Sequence, residues 1–304
     1  MDVISIENTT LCAANCIMCV REQYTRGITC MTQELFEKCV DESVQCGVKM
    51  INICGLGDPL MDPELEQKLA YIKNNYENIS VVLSTTGYRM NGKLLDIVCD
   101  YVDEMNISMY GIHKETYERV HGGILKYEEN KKNIDELLSR KKRPYVIMAL
   151  LDMPETHGEI EEWKSYYSGR ADQINIWQLH RWPHSGNTDM TFKKKKPCRC
   201  YRLDTLEACY IKVDGEISPC CFDFNTELSI GNITKSSLTE ILNGLRVQEL
   251  RDMQEKDCLR DSKLICGDCD QLYSREGALE YSTNEEVGIG QNMFYQVLTQ
   301  ENAD

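Results

Sequence analysis

VISIENTTLCAANCIMCV, residues 3–20, joins a β-branched apolar run to three cysteines in C-x3-C-x2-C spacing, Cys12, Cys16 and Cys19. The run VISIE (3–7) reads as a short buried strand, and the polar residues after it read as the loop at its C-terminal end. The same kind of run recurs as MINIC (50–54), SVVLS (80–84), VDEMNISM (102–109), PYVIMALL (144–151) and QINIWQL (173–179). Helical patterns alternate with these runs. The clearest is TQELFEKCVDESVQC (32–46), with Thr32 as N-cap and Phe36, Val40 and Val44 on one face.

Six βα units in succession predict an α/β fold, a partial (β/α)6 TIM-like barrel over residues 1–190. Its chemistry belongs on loops at the C-terminal ends of the strands. The lysine run in TFKKKKP (191–197) reads as a solvated linker. Beyond it, residues 191–304 read as a small cysteine-rich α+β domain and tail. EACYIKVDGEISPCC (207–221) is predicted to be a hairpin turning at Asp214-Gly215, and SSLTEILNGLRVQELRDM (236–253) a helix. No pattern is legible after Cys269.

The 304 residues carry 34 basic and 49 acidic side chains, a net charge of −15 that repels polyphosphate and argues against a nucleic-acid partner. A cationic substrate is compatible with that charge. No apolar run approaches a membrane span, and Asp2 and Glu7 stand where a signal peptide would be basic and then apolar, so a cytoplasmic protein is expected. In a reducing compartment, 16 cysteines suggest metal rather than disulfides. Three crowd the N-terminus and eight lie between Cys198 and Cys269, which suggests two centres.

Three close thiolates suit an iron-sulfur cubane with one iron left open. A structural zinc site needs a fourth ligand, and no His or further Cys lies within ten residues of Cys19. With these residues the sequence resembles the radical S-adenosylmethionine (SAM) superfamily. The resemblance implies a [4Fe-4S] cluster whose open iron chelates SAM, and a 5′-deoxyadenosyl radical that removes a hydrogen atom from substrate. Met18 stands where an aromatic residue commonly precedes the last cysteine. Gly55-Leu-Gly57-Asp58-Pro59-Leu60 resembles the family's GxGEPL segment, which receives the SAM ammonium, with Asp58 in place of glutamate. Ser84 and Thr85 end the third strand and Ser108 the fourth, where hydroxyls would meet the SAM ribose or carboxylate. In Tyr117-Glu-Arg119-Val-His121-Gly122-Gly123, Arg119 is a candidate carboxylate partner, with a surface arginine as the plain alternative.

Downstream, Cys200, Gly215, Cys220 and Cys266-Gly-Asp-Cys269 resemble the twitch module, a shortened SPASM domain. By that resemblance Cys200, Cys220, Cys266 and Cys269 hold one auxiliary [4Fe-4S] cluster. A zinc ribbon shares the arrangement of two separated cysteines plus a CxxC pair. Cys198 misses the usual gap to the glycine, and Cys209, Cys221 and Cys258 are unassigned. Each of those three is expected either as a small buried hydrophobe or, for Cys258, as a thiol that returns a hydrogen atom to a substrate radical.

The resemblance implies an oxidoreductase or epimerase that draws electrons from a flavodoxin- or ferredoxin-type donor. Only 11 residues precede Cys12, which argues against a leader-guided peptide maturase and favours a small polar substrate: a carbohydrate, aminocyclitol or aminoglycoside. Trp177, His180, Arg181, Trp182 and His184, closing the sixth strand, offer aromatic faces and polar groups to such a ligand. The alternatives are a peptide-modifying enzyme and, in another class, a non-catalytic iron-sulfur or zinc protein.

Overall fold

The computed structural model describes residues 1–185, 196–206, 209–273, 278–283 and 285–290. The strands are β1 (Val3–Ile6), β2 (Met50–Ile53), β3 (Ser80–Thr85), β4 (Glu104–Ser108), β5 (Tyr145–Asp152), β6 (Gln173–Gln178), β7 (Tyr210–Ile211), β8 (Glu216–Ser218), β9 (Gly231–Asn232), β10 (Leu279–Thr283) and β11 (Val287–Gly290). The helices are α1 (Gln33–Gln45), α2 (Leu65–Asn75), α3 (Gly92–Tyr101), α4 (Lys114–Val120), α5 (Tyr127–Ser139), α6 (Ile160–Tyr167), α7 (Tyr201–Thr205), α8 (Leu238–Leu242) and α9 (Leu245–Glu255). All six strands expected of the βα repeat are present, in order and within a few residues of their expected bounds. The fold is α/β, followed by a cysteine-rich segment. Among the described residues no helix is long and apolar enough to cross a membrane.

The chain divides into two compact units, each assembled from separate stretches. The first contains residues 1–12, 20–84 and 181–273. In it β1, β2 and β3 run parallel, with Ile4 opposite Ile51 and Ser5 opposite Asn52. On the other side of β1 lies β7, also parallel, which continues antiparallel into β8 and β9. Ile4, Ile6, Ile51, Ile53, Phe36 and Leu69 are fully buried in its core. Their near-continuous apolar runs are what a parallel strand covered on both faces requires.

The second unit contains residues 13–19, 85–180 and 274–304. Here β4, β5 and β6 are parallel, β10 is antiparallel to β6, and β11 is antiparallel to β10. Met105, Ile107, Met148 and Leu150 point one way, into full burial, as do Trp163 and Tyr167 of α6.

In α1, Thr32 caps as expected, its side chain accepting from the Leu35 amide at 3.3 Å. Phe36 and Val40 are buried with Cys39 and Ser43, whereas Val44 is only half-buried. The helix expected over 236–253 is two helices. Ser237 starts α8 with a capping box, and the chain breaks at Asn243-Gly244, where Asn243 bonds back to the Thr239 carbonyl at 2.8 Å. A glycine costs about 1 kcal/mol in a helix interior, and the short apolar face does not offset that here. The hairpin turning at Asp214-Gly215 is present, with Gly215 at φ +82°. The boundary expected at 190/191 lies outside the described residues. The tail that carried no legible pattern contributes β10 and β11.

Candidate active site

The first unit carries Cys12, Gly55, Gly57, Asp58, Pro59 and Ser84; the second carries Cys16, Met18, Cys19, Thr85, Ser108 and Arg119.

In the first unit the loop after β2 lies directly on the chain that leaves β1. A Cβ on Gly57 would sit 2.2 Å from the Thr9 carbonyl oxygen, and one on Gly55 would sit 2.5 Å from Cγ of Glu7. Glycine is therefore demanded here by contact with the Thr9 backbone and the Glu7 side chain, before any ligand is considered. The Asp58 amide donates to the Leu11 carbonyl at 2.7 Å, and Asp58 Oδ1 accepts from the Leu60 amide at 3.1 Å, capping the turn Pro59–Met61. Ser84 Oγ donates to Asn52 Oδ1 at 3.5 Å.

Two buried ion pairs fasten this arrangement, and the sequence reading assigned neither a role. Glu7 accepts from Arg26 Nη2 at 2.7 Å, from the Leu56 amide at 3.3 Å and from the Val213 amide at 3.2 Å, while Arg26 Nε donates to the Phe224 carbonyl at 2.9 Å. One carboxylate thus ties the end of β1 to the glycine loop and to the β7–β8 hairpin. The second pair is Lys68 with Asp62, 2.6 Å apart with both side chains fully buried. Asn8 donates to the same carboxylate at 2.9 Å, and Lys68 donates to the Met31 carbonyl at 2.6 Å. The sequence signal was an acid at the end of each apolar or loop segment, which burial obliges to find a partner.

In the second unit the segment 13–19 is pinned to α4 and its end. The Asn15 amide donates to the His121 carbonyl at 3.3 Å, the Ile17 amide to Val120 at 3.0 Å, and the Cys19 amide closes a turn onto Cys16 at 2.9 Å. A Cβ on Gly122, at φ +74°, would lie 2.2 Å from the Asn15 carbonyl oxygen. Met18 is buried, while Cys16 and Cys19 are half-buried, as is Cys12. Tyr110 donates to Ser108 Oγ at 3.0 Å and stacks on His121 with ring centroids 5.5 Å apart. Burial pushes the Tyr110 phenol up to about 12; the Ser108 bond opposes this, and the Cys16 and Cys19 thiols reinforce it. Burial holds His121 down to about 4, and its Nδ1 donates to the Tyr117 carbonyl at 2.8 Å. Thr85 Oγ1 accepts from the Gly87 amide at 3.0 Å. Arg119 is exposed on α4.

The C-terminal cysteines of the first unit gather around Cys200. Its thiol acts electrostatically on Cys220, Cys266 and Cys269. Burial pushes Cys266 up to about 12 and Cys269 higher still. Among the described residues no three His, Cys, Asp or Glu groups form a ready site for one metal ion, so these thiols are neighbours rather than a closed ligand shell. Cys221 acts electrostatically on Cys54, Tyr210 and Lys212, and is the member of the Cys220–Cys221 pair held low, by its bond with Cys220 and by Arg202. Cys209 is fully buried, as a spare cysteine usually is. Cys258 is exposed in the turn after α9, its Sγ bonded to the Lys256 carbonyl, so burial in a core does not account for it. Cys198 is exposed, its amide paired with the Leu272 carbonyl at 2.9 Å. Arg181 pairs with Asp268 at 2.7 Å and His184 with Glu227 at 3.0 Å.

As donor sets, the three loop thiols and the four C-terminal thiols both fit iron-sulfur clusters, which are held by cysteine sulfur. The model of the radical SAM superfamily matches residues 6–166, and that of SPASM, an iron-sulfur cluster-binding domain, matches residues 198–270. No curated protein sequence matches significantly. Among solved structures, BtrN in complex with AdoMet and 2-DOIA is similar at 15% identity, over 88% of this chain and 92% of that one, with a TM-score of 0.60. Native anSMEcpe with bound AdoMet and Cp18Cys peptide is similar at 16% identity over 98% and 94%, with a TM-score of 0.65. Streptococcus suis SuiB bound to precursor peptide SuiA is similar at 13% identity over 89% and 70%, with a TM-score of 0.68.

Proposed function

The chain belongs to the radical SAM superfamily, and on that premise we propose that it abstracts a hydrogen atom from a C–H bond of a small polar substrate, leading to epimerisation or two-electron dehydrogenation. Its cofactors are a SAM-binding [4Fe-4S] cluster, SAM, and an auxiliary cluster in the SPASM segment. Bound there, they supply one-electron cleavage of SAM and a second centre able to anchor substrate or take up an electron. In this reading Cys12, Cys16 and Cys19 hold the first cluster, and Cys200, Cys220, Cys266 and Cys269 hold the second. The backbone of Gly55–Pro59, the hydroxyls of Ser84, Thr85 and Ser108, the side chains of Asp58 and Arg119, and the apolar flank of Met18 position SAM. Asp58 already uses one oxygen to cap its own turn, so its part is to hold the loop's carbonyls in place for the SAM ammonium. Electrons come from a flavodoxin- or ferredoxin-type donor.

The observation that carries the small-substrate reading is the likeness to BtrN, which holds 2-DOIA, over 88% of this chain and 92% of that one, whereas the match to peptide-bound SuiB covers 70% of SuiB. One observation favours a second reading: anSMEcpe, with its Cp18Cys peptide, also matches almost end to end. The test is 5′-deoxyadenosine formation by the anaerobically reconstituted enzyme with SAM and dithionite. It is run against a panel of aminocyclitols and aminoglycosides and a panel of cysteine-containing peptides. Stimulation by the first panel alone supports the proposal, and stimulation by the second alone replaces it. In deuterated water, deuterium at an inverted carbon marks epimerisation and a ketone marks dehydrogenation. If Cys258→Ala still epimerises, that thiol is not the hydrogen donor.

A further inference from the structure

One cation of the first unit lies buried among the C-terminal cysteines. Arg202, on the short helix α7 that begins just after Cys200, is 6% exposed, and its Nε is buried with no hydrogen-bond partner. Its guanidinium carbon sits 4.8 Å from the ring centre of Tyr201 and 4.9 Å from that of Phe222, the residue after Cys221. Aromatic faces suit a weakly hydrated guanidinium, but they do not neutralise it. After its own burial, the groups that act on it most strongly are Cys221, Tyr201, Cys220 and Cys200. Among the described residues no ion pair joins it to a carboxylate.

The other charges near these cysteines are already matched. Arg199, one residue before Cys200, is exposed and pairs with Glu255 at 2.7 Å and Asp204 at 2.9 Å. Lys212, which is also buried, has the Glu7 and Asp223 carboxylates acting on it. Asp223 accepts from the Ser218 hydroxyl at 2.7 Å and from the amides of Glu227 and Leu228 at 2.7 and 2.9 Å. Asp270 accepts from the Arg181 amide at 2.8 Å and from Gln271 Nε2 at 2.6 Å. A buried charge is costly unless it is paired, so Arg202 calls for an anion beside it. A [4Fe-4S] cluster held by four thiolates is an anion, and it gains one further negative charge on reduction.

We propose that Arg202 is the buried counter-ion of the auxiliary cluster and holds its reduction potential up, so that the cluster takes an electron more readily. Its role is electrostatic: the added charge of the reduced cluster is stabilised by a cation that water does not screen. Dehydrogenation makes that demand, because an electron is left over after hydrogen abstraction and deprotonation, whereas epimerisation does not. This inference rests on the assignment of Cys200, Cys220, Cys266 and Cys269 to that cluster, made above.

The test is a redox titration, followed by electron paramagnetic resonance, of the reconstituted full-length Cys12/Cys16/Cys19 triple-alanine protein, whose cluster signal comes from the auxiliary site alone. Adding Arg202→Met is expected to lower the reduced-to-oxidised ratio at a fixed potential at least tenfold, a drop of about 59 mV or more for a one-electron couple. Arg202→Lys, which keeps the charge, is expected to recover at least half of that shift. Arg199→Met, which removes an exposed and paired arginine, is expected to produce less than half of it. Iron content is measured in every protein. Loss of iron in Arg202→Met but not in Arg202→Lys also supports the counter-ion role, whereas loss in both means that the side chain acts through its shape and overturns it. The proposal is likewise overturned, with the cluster assignment intact, if Arg202→Met moves the ratio less than tenfold, if Arg202→Lys recovers less than half of the shift, or if Arg199→Met produces half of it or more. A triple-alanine protein that binds no iron would sink the cluster assignment itself, and this inference with it.

Discussion

The two groups of cysteines proposed as cluster ligands are built in opposite ways. Cys12, Cys16 and Cys19 occupy one short loop and stay half-exposed, and their spacing is set by consecutive residues and one backbone turn. Cys200, Cys220, Cys266 and Cys269 come from the entry to α7, the end of the β7–β8 hairpin and a 3-10 turn, and burial raises the last two thiols strongly. A local site needs only that its loop be held. A dispersed one needs three separate elements to fold before any ligand shell exists, so it depends more on packing.

The sharpest way to break this comparison is to empty each site in turn. Reconstituted wild-type enzyme is expected to carry about eight irons, and the Cys12/Cys16/Cys19 triple-alanine variant about four with no SAM cleavage. Cys200→Ala is expected to lose the other four irons while the SAM-dependent spectroscopic signal survives. Zinc in place of those irons would make the dispersed site structural.

Next in size is the anchoring of the local site. Lys68→Met leaves Asp62 buried with only Asn8 and backbone partners, and it should cost roughly 3–5 kcal/mol. An anaerobic thermal melt would show it, and an unchanged melting temperature would mean the pair is not a fastener.

A somewhat smaller effect concerns pH. His121 titrates near 4 in the fold against 6.5 when unfolded, so between those values the unfolded chain binds more protons. Its neutral form contributes stability that is complete above pH 6.5 and is lost as pH falls to 4, about 3 kcal/mol in all. His121→Phe keeps the ring against Tyr110 and should flatten that part of the stability–pH curve. An equal slope in both proteins would assign it elsewhere.

The smallest difference separates two neighbouring glycines. Gly123, at φ +76°, has open space where a Cβ would go, so Gly123→Ala should cost only the left-handed backbone, ~1 kcal/mol. Gly122→Ala meets the Asn15 carbonyl as well and should melt lower by a further ~1–3 kcal/mol, loosening the segment that carries Cys16 and Cys19.

Much of this was legible in the sequence where the signal is local. The β-branched runs 50–54 and 80–84 became β2 and β3, Thr32 capped α1, and Asp214-Gly215 turned the hairpin. The break at Asn243-Gly244 was missed because an apolar period continues across it, although the dipeptide itself was a turn signal. Strands β10 and β11 were missed because a short run such as LEYST becomes a strand only when β6 offers it an edge. At the candidate site, the residue types after β2 were read as ligand-facing glycines and an acid. The structure adds that Gly55 and Gly57 are required by contact with residues 7–11, and that Asp58 caps a turn.

By itself the sequence determined the βα order, the local cysteine spacing and the family these imply, because each is encoded within a few turns of chain. Tertiary structure alone decided that Glu7 would meet Arg26, Leu56 and Val213, and that Asp62 would be buried against Lys68 and Asn8. These are meetings of residues distant along the chain, and their identity depends on strand register and on burial forcing charges into pairs. Neither is fixed by local periodicity.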